Sequence, residues 1–194
     1  MQSTVKHDDI SVVGGWTRVA VVKTDKSDST EIQTFDDPSE ALRRNENLMK
    51  GISFIGLQQL KKTIRFTQMR FRCVKGETTA IDVITLEKAL GYKVVEYFTS
   101  SSNDRPLACD SFTRGETDNS KLSGSCERWN DQKWGFGYPA GNQRLYGVVF
   151  YNSPRHFIMG GHASNNVTRF ECDDGPSDDG PSDNIKGLWA IFVR

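Results

Sequence analysis

Four cysteines, Cys73, Cys109, Cys126 and Cys172, stand far apart in a chain of 194 residues. None falls in the close C-x-x-C spacing that a zinc site or a dithiol redox motif requires. An even set without metal spacing predicts two disulfides, which form and persist in oxidising compartments. The chain is therefore expected to be secreted or extracellular. The competing reading, four buried thiols in a cytosolic core, draws on the ease with which free cysteine is buried. Four cysteines allow three connectivities, and spacing alone leaves all three open. The preferred one joins Cys109 to Cys126 and Cys73 to Cys172, because the first bridge would pin a polar loop. In the loop-entropy model a bridge of that span contributes about 3 kcal/mol.

Asn166-Val167-Thr168 is a glycosylation sequon, which agrees with export. Met1 to Ile10 lacks the apolar stretch of a signal peptide, so the export signal is expected to be absent from this chain. No apolar run approaches the roughly 20 residues that span a bilayer, so no membrane span is expected. Lys and Arg balance Asp and Glu at 25 each. No stretch concentrates enough positive charge to follow a phosphate backbone, which argues against nucleic acid as a partner.

The pattern of elements points to an α+β fold in one domain, with a central, mostly antiparallel sheet, a few short helices and long polar loops. Thr17 to Lys23 reads as an inner strand, since Val19, Ala20, Val21 and Val22 are too continuously apolar for a one-sided sheet. A helix is predicted from Pro38 to Lys50, capped by Asp37, with Glu40 completing a capping box and Gly51 ending it. Gly56 to Lys62 reads as a short helix, and Gln68 to Val74 as a half-buried strand with Cys73 pointing inward. Further strands are expected at Ala80 to Leu86, Tyr92 to Phe98, Leu145 to Tyr151 and His156 to Met159. The last element, Leu188 to Val193, is apolar on both alternating sets and belongs in the middle of a sheet. From Thr99 to Gly141 the chain is polar and Gly-rich, and loops of that length usually carry function.

Gly14-Gly15-Trp16-Thr17, running into the strand Arg18-Val19-Ala20, resembles the opening phrase of fibrinogen-related domains. This family of secreted recognition modules has the intelectin lectins as distant relatives. The order of later features agrees: Leu57 to Lys62 leading into Met69-Arg70-Phe71-Arg72-Cys73, the late cysteines, and the closing segment Leu188 to Arg194. The chain is thus similar to the divergent fibrinogen-like modules of invertebrate secreted and matrix proteins over Gly14 to Arg194, with residues 1–13 as a tail. It departs from them where Ser11-Val12-Val13 stands in place of the usual upstream cysteine and acidic residue. The upstream part of the family domain, and with it the family's first disulfide, is therefore expected to be missing here. The resemblance implies non-catalytic extracellular binding to carbohydrate or to a glycoprotein.

Residue chemistry suggests where such binding would occur. Sugars stack their C–H faces on aromatic rings while histidines and acidic groups take their hydroxyls. Trp129, Trp134, Tyr138, His156 and His162 are the candidates, with Phe136, Tyr146 and Tyr151 in the same stretch. The alternative for the tryptophans is a satellite core beneath the long loop. Asp-Asp-Gly-Pro-Ser occurs twice in tandem after Cys172, and its carboxylates are of the type calcium requires, with Asp173 and Asp174 best anchored. The alternative there is a solvated acidic loop, or a matrix protein whose acidic face binds mineral or protein partners. No HExxH, GxSxG, P-loop or GxGxxG motif is present, and a Cys109–His156 nucleophile would need a free thiol; no enzyme is expected. Heptads that would hold an oligomer together are absent, so any multimer is made elsewhere.

Overall fold

The computed structural model describes residues 15–24, 32–43, 49–76, 79–137, 140–153, 155–162, 168–173 and 187–194. Its strands are β1 (Thr17–Thr24), β2 (Gln33–Phe35), β3 (Met49–Ile52), β4 (Met69–Lys75), β5 (Thr79–Thr85), β6 (Phe112–Arg114), β7 (Val148–Asn152), β8 (Arg155–His162), β9 (Thr168–Cys172) and β10 (Gly187–Val193). Its α-helices are α1 (Pro38–Arg43), α2 (Phe54–Ile64), α3 (Ala89–Thr99) and α4 (Asn142–Leu145). The strands form a seven-stranded sheet ordered β2-β3-β1-β10-β4-β5-β6 and a three-stranded sheet ordered β7-β8-β9. Among the described strands, β2 with β3 is the one parallel pair and the other pairings are antiparallel. The fold is therefore α+β, as the pattern of elements predicts.

Strand β10 occupies the middle of the large sheet, between β1 and β4, with Ala190 opposite Val21 and Trp189 opposite Cys73. Its two apolar sets serve two faces. Trp189, Ile191 and Val193 enter the main core with Phe71, Cys73, Ile81 and Val83, whereas Ala190 and Phe192 pack with Trp16 in a smaller cluster behind the sheet. That second cluster is roofed by cations. The Arg194 guanidinium lies 4.6 Å from the centre of the Trp16 ring, and Arg70 lies 6.0 Å from that of Phe192.

The two sheets face each other across aromatic contacts, Phe71 with Phe157 at 6.3 Å and Phe170 with Trp189 at 5.6 Å. A disulfide between Cys73 on β4 and Cys172 on β9 staples them, and a second joins Cys109 to Cys126 inside the long polar stretch. The expected pairing is the one found, and it accounts for all four thiols. No described helix is long and apolar enough to cross a membrane.

Three expectations are corrected. The helix predicted to Lys50 is α1 over Pro38–Arg43 only, and Met49–Ile52 is strand β3, with residues 44–48 outside the described ones. Asp37 does cap α1, its Oδ1 accepting the Ser39 N–H at 2.7 Å. The strand predicted at Tyr92 to Phe98 is helical, within α3: Gly91, Val94, Val95 and Phe98 are buried while Tyr92, Lys93 and Glu96 are exposed, which is a period of 3.6 and not 2. Gly91 lies inside that helix because the Leu86 carbonyl oxygen sits 1.9 Å from where a Cβ would be. Finally, Leu145 ends α4, and the strand expected from there begins at Val148.

Candidate functional site

Trp129 and Trp134 are not exposed. They are 2% and 0% accessible, because the long polar stretch folds inward on them and not around a ligand. Trp129 stacks between Phe112 (5.1 Å, 6°) and Phe150 (4.5 Å, 11°), and Phe150 stacks in turn on Phe157 (5.2 Å, 20°). Trp134 meets this column edge-on, at 5.2 Å from Trp129 and 5.3 Å from Phe150. Their indole N–H groups are satisfied internally, Trp129 donating to the Leu122 carbonyl and Trp134 to Ser111 Oγ, each at 2.8 Å. Both therefore belong to the core, as the satellite-core alternative holds, and neither can touch a ligand. Tyr146 is also internal; its hydroxyl donates to the Ile52 carbonyl, and burial pushes the phenol far up from its usual range.

What reaches the surface beside this column is a ladder of three rings. Tyr151 on β7 and His156 on β8 are direct cross-strand partners, stacked at 5.4 Å and 20°. Phe136 meets Tyr151 edge-on at 5.2 Å and is 46% exposed. Behind the ladder, His156 Nδ1 lies 2.6 Å from Oε2 of Glu171, a buried carboxylate on β9. Burial pushes the Tyr151 phenol up, and the same ring feels Arg105 pulling it down and Asp131 pushing it up, so both charges lie within electrostatic reach of the ladder.

Phe136 owes its position to backbone and to one arginine. The Gly135 N–H donates to the Val149 carbonyl at 2.7 Å, docking the segment on β7. Gly135 has φ +73°, and a Cβ there would sit 2.2 Å from the Tyr97 hydroxyl, so only glycine fits. Arg105 gathers the rest: it donates to the carbonyls of Asn130 (3.0 Å), Trp134 (2.9 Å) and Gly135 (2.8 Å), and pairs with Asp131 Oδ2 at 2.7 Å. Asp131 is left 65% exposed on the rim. Asp131 and Gln132 both adopt φ +56°, a left-handed conformation that costs about 1 kcal/mol or more per non-glycine residue and tends to occur where a site demands it.

The carboxylate of Asp173, expected as a calcium ligand, is turned inward to backbone amides. The residue is 5% exposed, and its carboxylate oxygens accept the N–H groups of Lys121 (2.8 Å) and Leu122 (3.0 Å). Its own N–H donates to the His156 carbonyl at 2.9 Å, and Arg155 donates to its carbonyl. Asp173 thus ties the end of β9 to the loop that carries Trp129. Cys109, Cys126 and Glu127 bring three ligand-type atoms within 4.8 Å of one another, but both sulfurs are in a disulfide and offer no thiolate. For the same reason Cys109 cannot act as a nucleophile with His156.

Among the other expected residues, His162 ends β8 opposite Thr168, and its side chain lies outside the described ones. Tyr138, Asn166 and Asp174 also lie outside the described residues. Of the expected ligand-binding set, His156 is thus the member placed at a described surface. Phe136 and Tyr151 belong to the aromatic stretch in which a site was expected, whereas Asp131 and Arg105 were not expected there. Phe136 carried a signal, an apolar ring between Gly135 and Gly137 in a polar stretch. No protein-family model, curated protein or solved structure matches the chain.

Proposed function

We propose that the chain is an extracellular, non-catalytic recognition module of fibrinogen-like character that binds carbohydrate or a glycoprotein. The observation that carries this reading is the pair of disulfides: one ties two sheets across 99 residues, the other holds the polar stretch across 17. Frames of this kind suit oxidising compartments, where disulfides form and persist. The ladder of Phe136, Tyr151 and His156 supports recognition, because rigid, partly exposed aromatic rings make contact at low entropic cost.

The test is an intact-mass comparison of natively produced protein, alkylated with and without prior reduction. The expected result is no alkylation before reduction and four alkylated cysteines after it. Four alkylatable thiols without reduction would refute the extracellular reading and direct the search to cytosolic functions.

A further inference from the structure

The seven-stranded sheet turns one face to the main core, and its other face gathers cations that lie far apart in sequence. Directly opposed residues of an antiparallel pair share a face, so the register fixes the set. Ala190 and Phe192 of β10, which pack with Trp16 on the outer side, stand opposite Arg72 and Arg70 of β4, and Leu188 stands opposite Lys23 of β1. Arg194 continues the same alternation one step past Phe192. Alternate residues of a strand are about 7 Å apart, so Arg194, Arg70 and Arg72 make a file along the seam of β10 and β4, with Lys23 across β10 from its far end. Arg18 and Lys50 share the face through their register with Phe192 and Val21, but each has further contacts of its own and is left out of the file.

Among the described strand residues, Asp82 is the one acid on this face, and it is already committed. It stands opposite Arg72, yet its carboxylate accepts from Arg70 Nε at 2.6 Å and Nη2 at 2.5 Å and from the Thr117 hydroxyl at 3.2 Å, and it is 1% exposed. Asp118 beside it pairs with Arg114 at 2.9 Å. Arg72 is left over. Its Nε is buried with no hydrogen-bond partner, while the side chain as a whole is partly exposed and open to a ligand. A buried donor without an acceptor is costly, and a guanidinium is best satisfied by an oxyanion. Arg194 and Arg70 lie over the rings of Trp16 and Phe192, which limits the rotamer freedom that binding would have to remove.

A file of closely spaced cations fits a linear polyanion better than a single ion, because each step along the strand meets another anionic group. In the oxidising compartment that two disulfides imply, linear polyanions are chiefly sulfated polysaccharides. We propose that the outer face of the large sheet, through Arg72, Arg70, Arg194 and Lys23, binds a sulfated polysaccharide whose sulfate oxygens accept from the guanidinium groups. This rests on the extracellular reading of the chain and adds to it a ligand class and a second surface, on the side of the sheet turned away from β7, β8 and β9. No stretch of sequence concentrates these charges; strand pairing does.

The experiment measures binding of the full chain to immobilised heparin, to fully desulfated heparin and to duplex DNA over a series of salt concentrations. The wild type is compared with Arg72→Gln, with Arg72→Gln/Lys23→Gln, and with Lys62→Gln/Lys93→Gln, which removes two exposed lysines of α2 and α3. Heparin is expected to bind and desulfated heparin is not. Arg72→Gln should weaken heparin about tenfold and reduce the salt dependence by about one charge, with a melting temperature no lower than that of the wild type, because this guanidinium is not engaged in the fold. The α2/α3 pair should stay within about threefold of the wild type, since separated surface charges are screened. Failure of heparin to bind at low salt overturns the inference. So does wild-type affinity in Arg72→Gln/Lys23→Gln, an equal loss in Lys62→Gln/Lys93→Gln, or duplex DNA bound in preference to heparin, which would make the face a nucleic-acid surface. None of these outcomes changes the alkylation result, so the sulfate surface and the extracellular reading can fail separately.

Discussion

The two disulfides close loops of very different size, and removing them one at a time should expose that difference. Replacing Cys109 and Cys126 together by alanine opens a loop of 17 residues, and replacing Cys73 and Cys172 opens one of 99. The loop-entropy relation gives about 3 kcal/mol for the first and about 4.7 kcal/mol for the second. Packing widens the gap. Cys73 and Cys172 are 0% exposed within the main core, so their loss also leaves unfilled volume between the sheets, whereas Cys109 and Cys126 are half-buried. Against a typical total stability of about 5 to 15 kcal/mol, the Cys73/Cys172 double variant should be marginal and the Cys109/Cys126 variant still folded. Urea denaturation of the wild type and both variants measures this, with a larger m-value expected in the Cys73/Cys172 variant because its denatured chain expands more. Should that variant fail to fold, stepwise reduction of the wild type gives the same ordering: accessible Cys109 and Cys126 are alkylated first. Equal losses, a reversed order, or earlier reduction of Cys73 and Cys172 would refute the reasoning.

Trp134→Ala should cost about 3 to 5 kcal/mol in urea denaturation, since the ring is fully buried at the meeting point of five others; a folded variant of unchanged stability would return Trp134 to the surface. Asp173→Ala strands the amides of Lys121 and Leu122, at about 1 to 3 kcal/mol each where they are cut off from water, and should speed hydrogen exchange across residues 121–129; unchanged protection there would count against the tie. Burial raises the phenols of Tyr97 and Tyr146, so both stay protonated in the fold while the unfolded chain ionises near pH 10; stability is then intact below about pH 10 and falls above it, by up to about 1.4 kcal/mol per unit for each tyrosine. Tyr146→Phe should make that alkaline slope shallower while lowering stability at neutral pH through the lost bond to Ile52, and an unchanged slope would show that Tyr146 is not a contributor.

The features legible in the sequence were those whose cause is local or nearly so. Leu188 to Val193 is apolar in both alternating sets, and that alone demands the centre of a sheet, where β10 lies. Spacing left three disulfide connectivities open, and the preferred one, chosen for the cost of a polar loop, is the one found. Tyr92 to Phe98 misled because its aromatic and β-branched residues favour a strand, although the spacing of Val94, Val95 and Phe98 is helical; packing on one face decided the matter. The tryptophans were illegible for a different reason. Their neighbours in sequence are polar, and the rings that bury them, Phe71, Phe112 and Phe150, come from elements that join only in the fold. Phe136, Asp131 and Arg105 form a surface through backbone carbonyls, for which sequence periodicity has no signature.

The route by which the core holds that surface can be followed bond by bond. Trp189 at the centre of the large sheet donates its indole N–H to the Glu171 carbonyl at 3.1 Å, the Glu171 side chain lies against His156, His156 stacks on Tyr151, and Tyr151 bears Phe136. The Cys73–Cys172 bridge runs beside this route, and Asp173, next along the chain, fastens the loop that carries Trp129. A surface supported in this way need not be ordered by its ligand, so free energy gained on contact goes into affinity and not into fixing side chains. The same support makes the ladder sensitive to the staple: opening Cys73–Cys172 loosens β9 from β4, and with it Glu171 and His156, two residues that no disulfide touches. Loss of binding in the Cys73/Cys172 variant under conditions where it remains folded is therefore the expected signature of a rigid platform. A site that assembled around its ligand would keep its affinity.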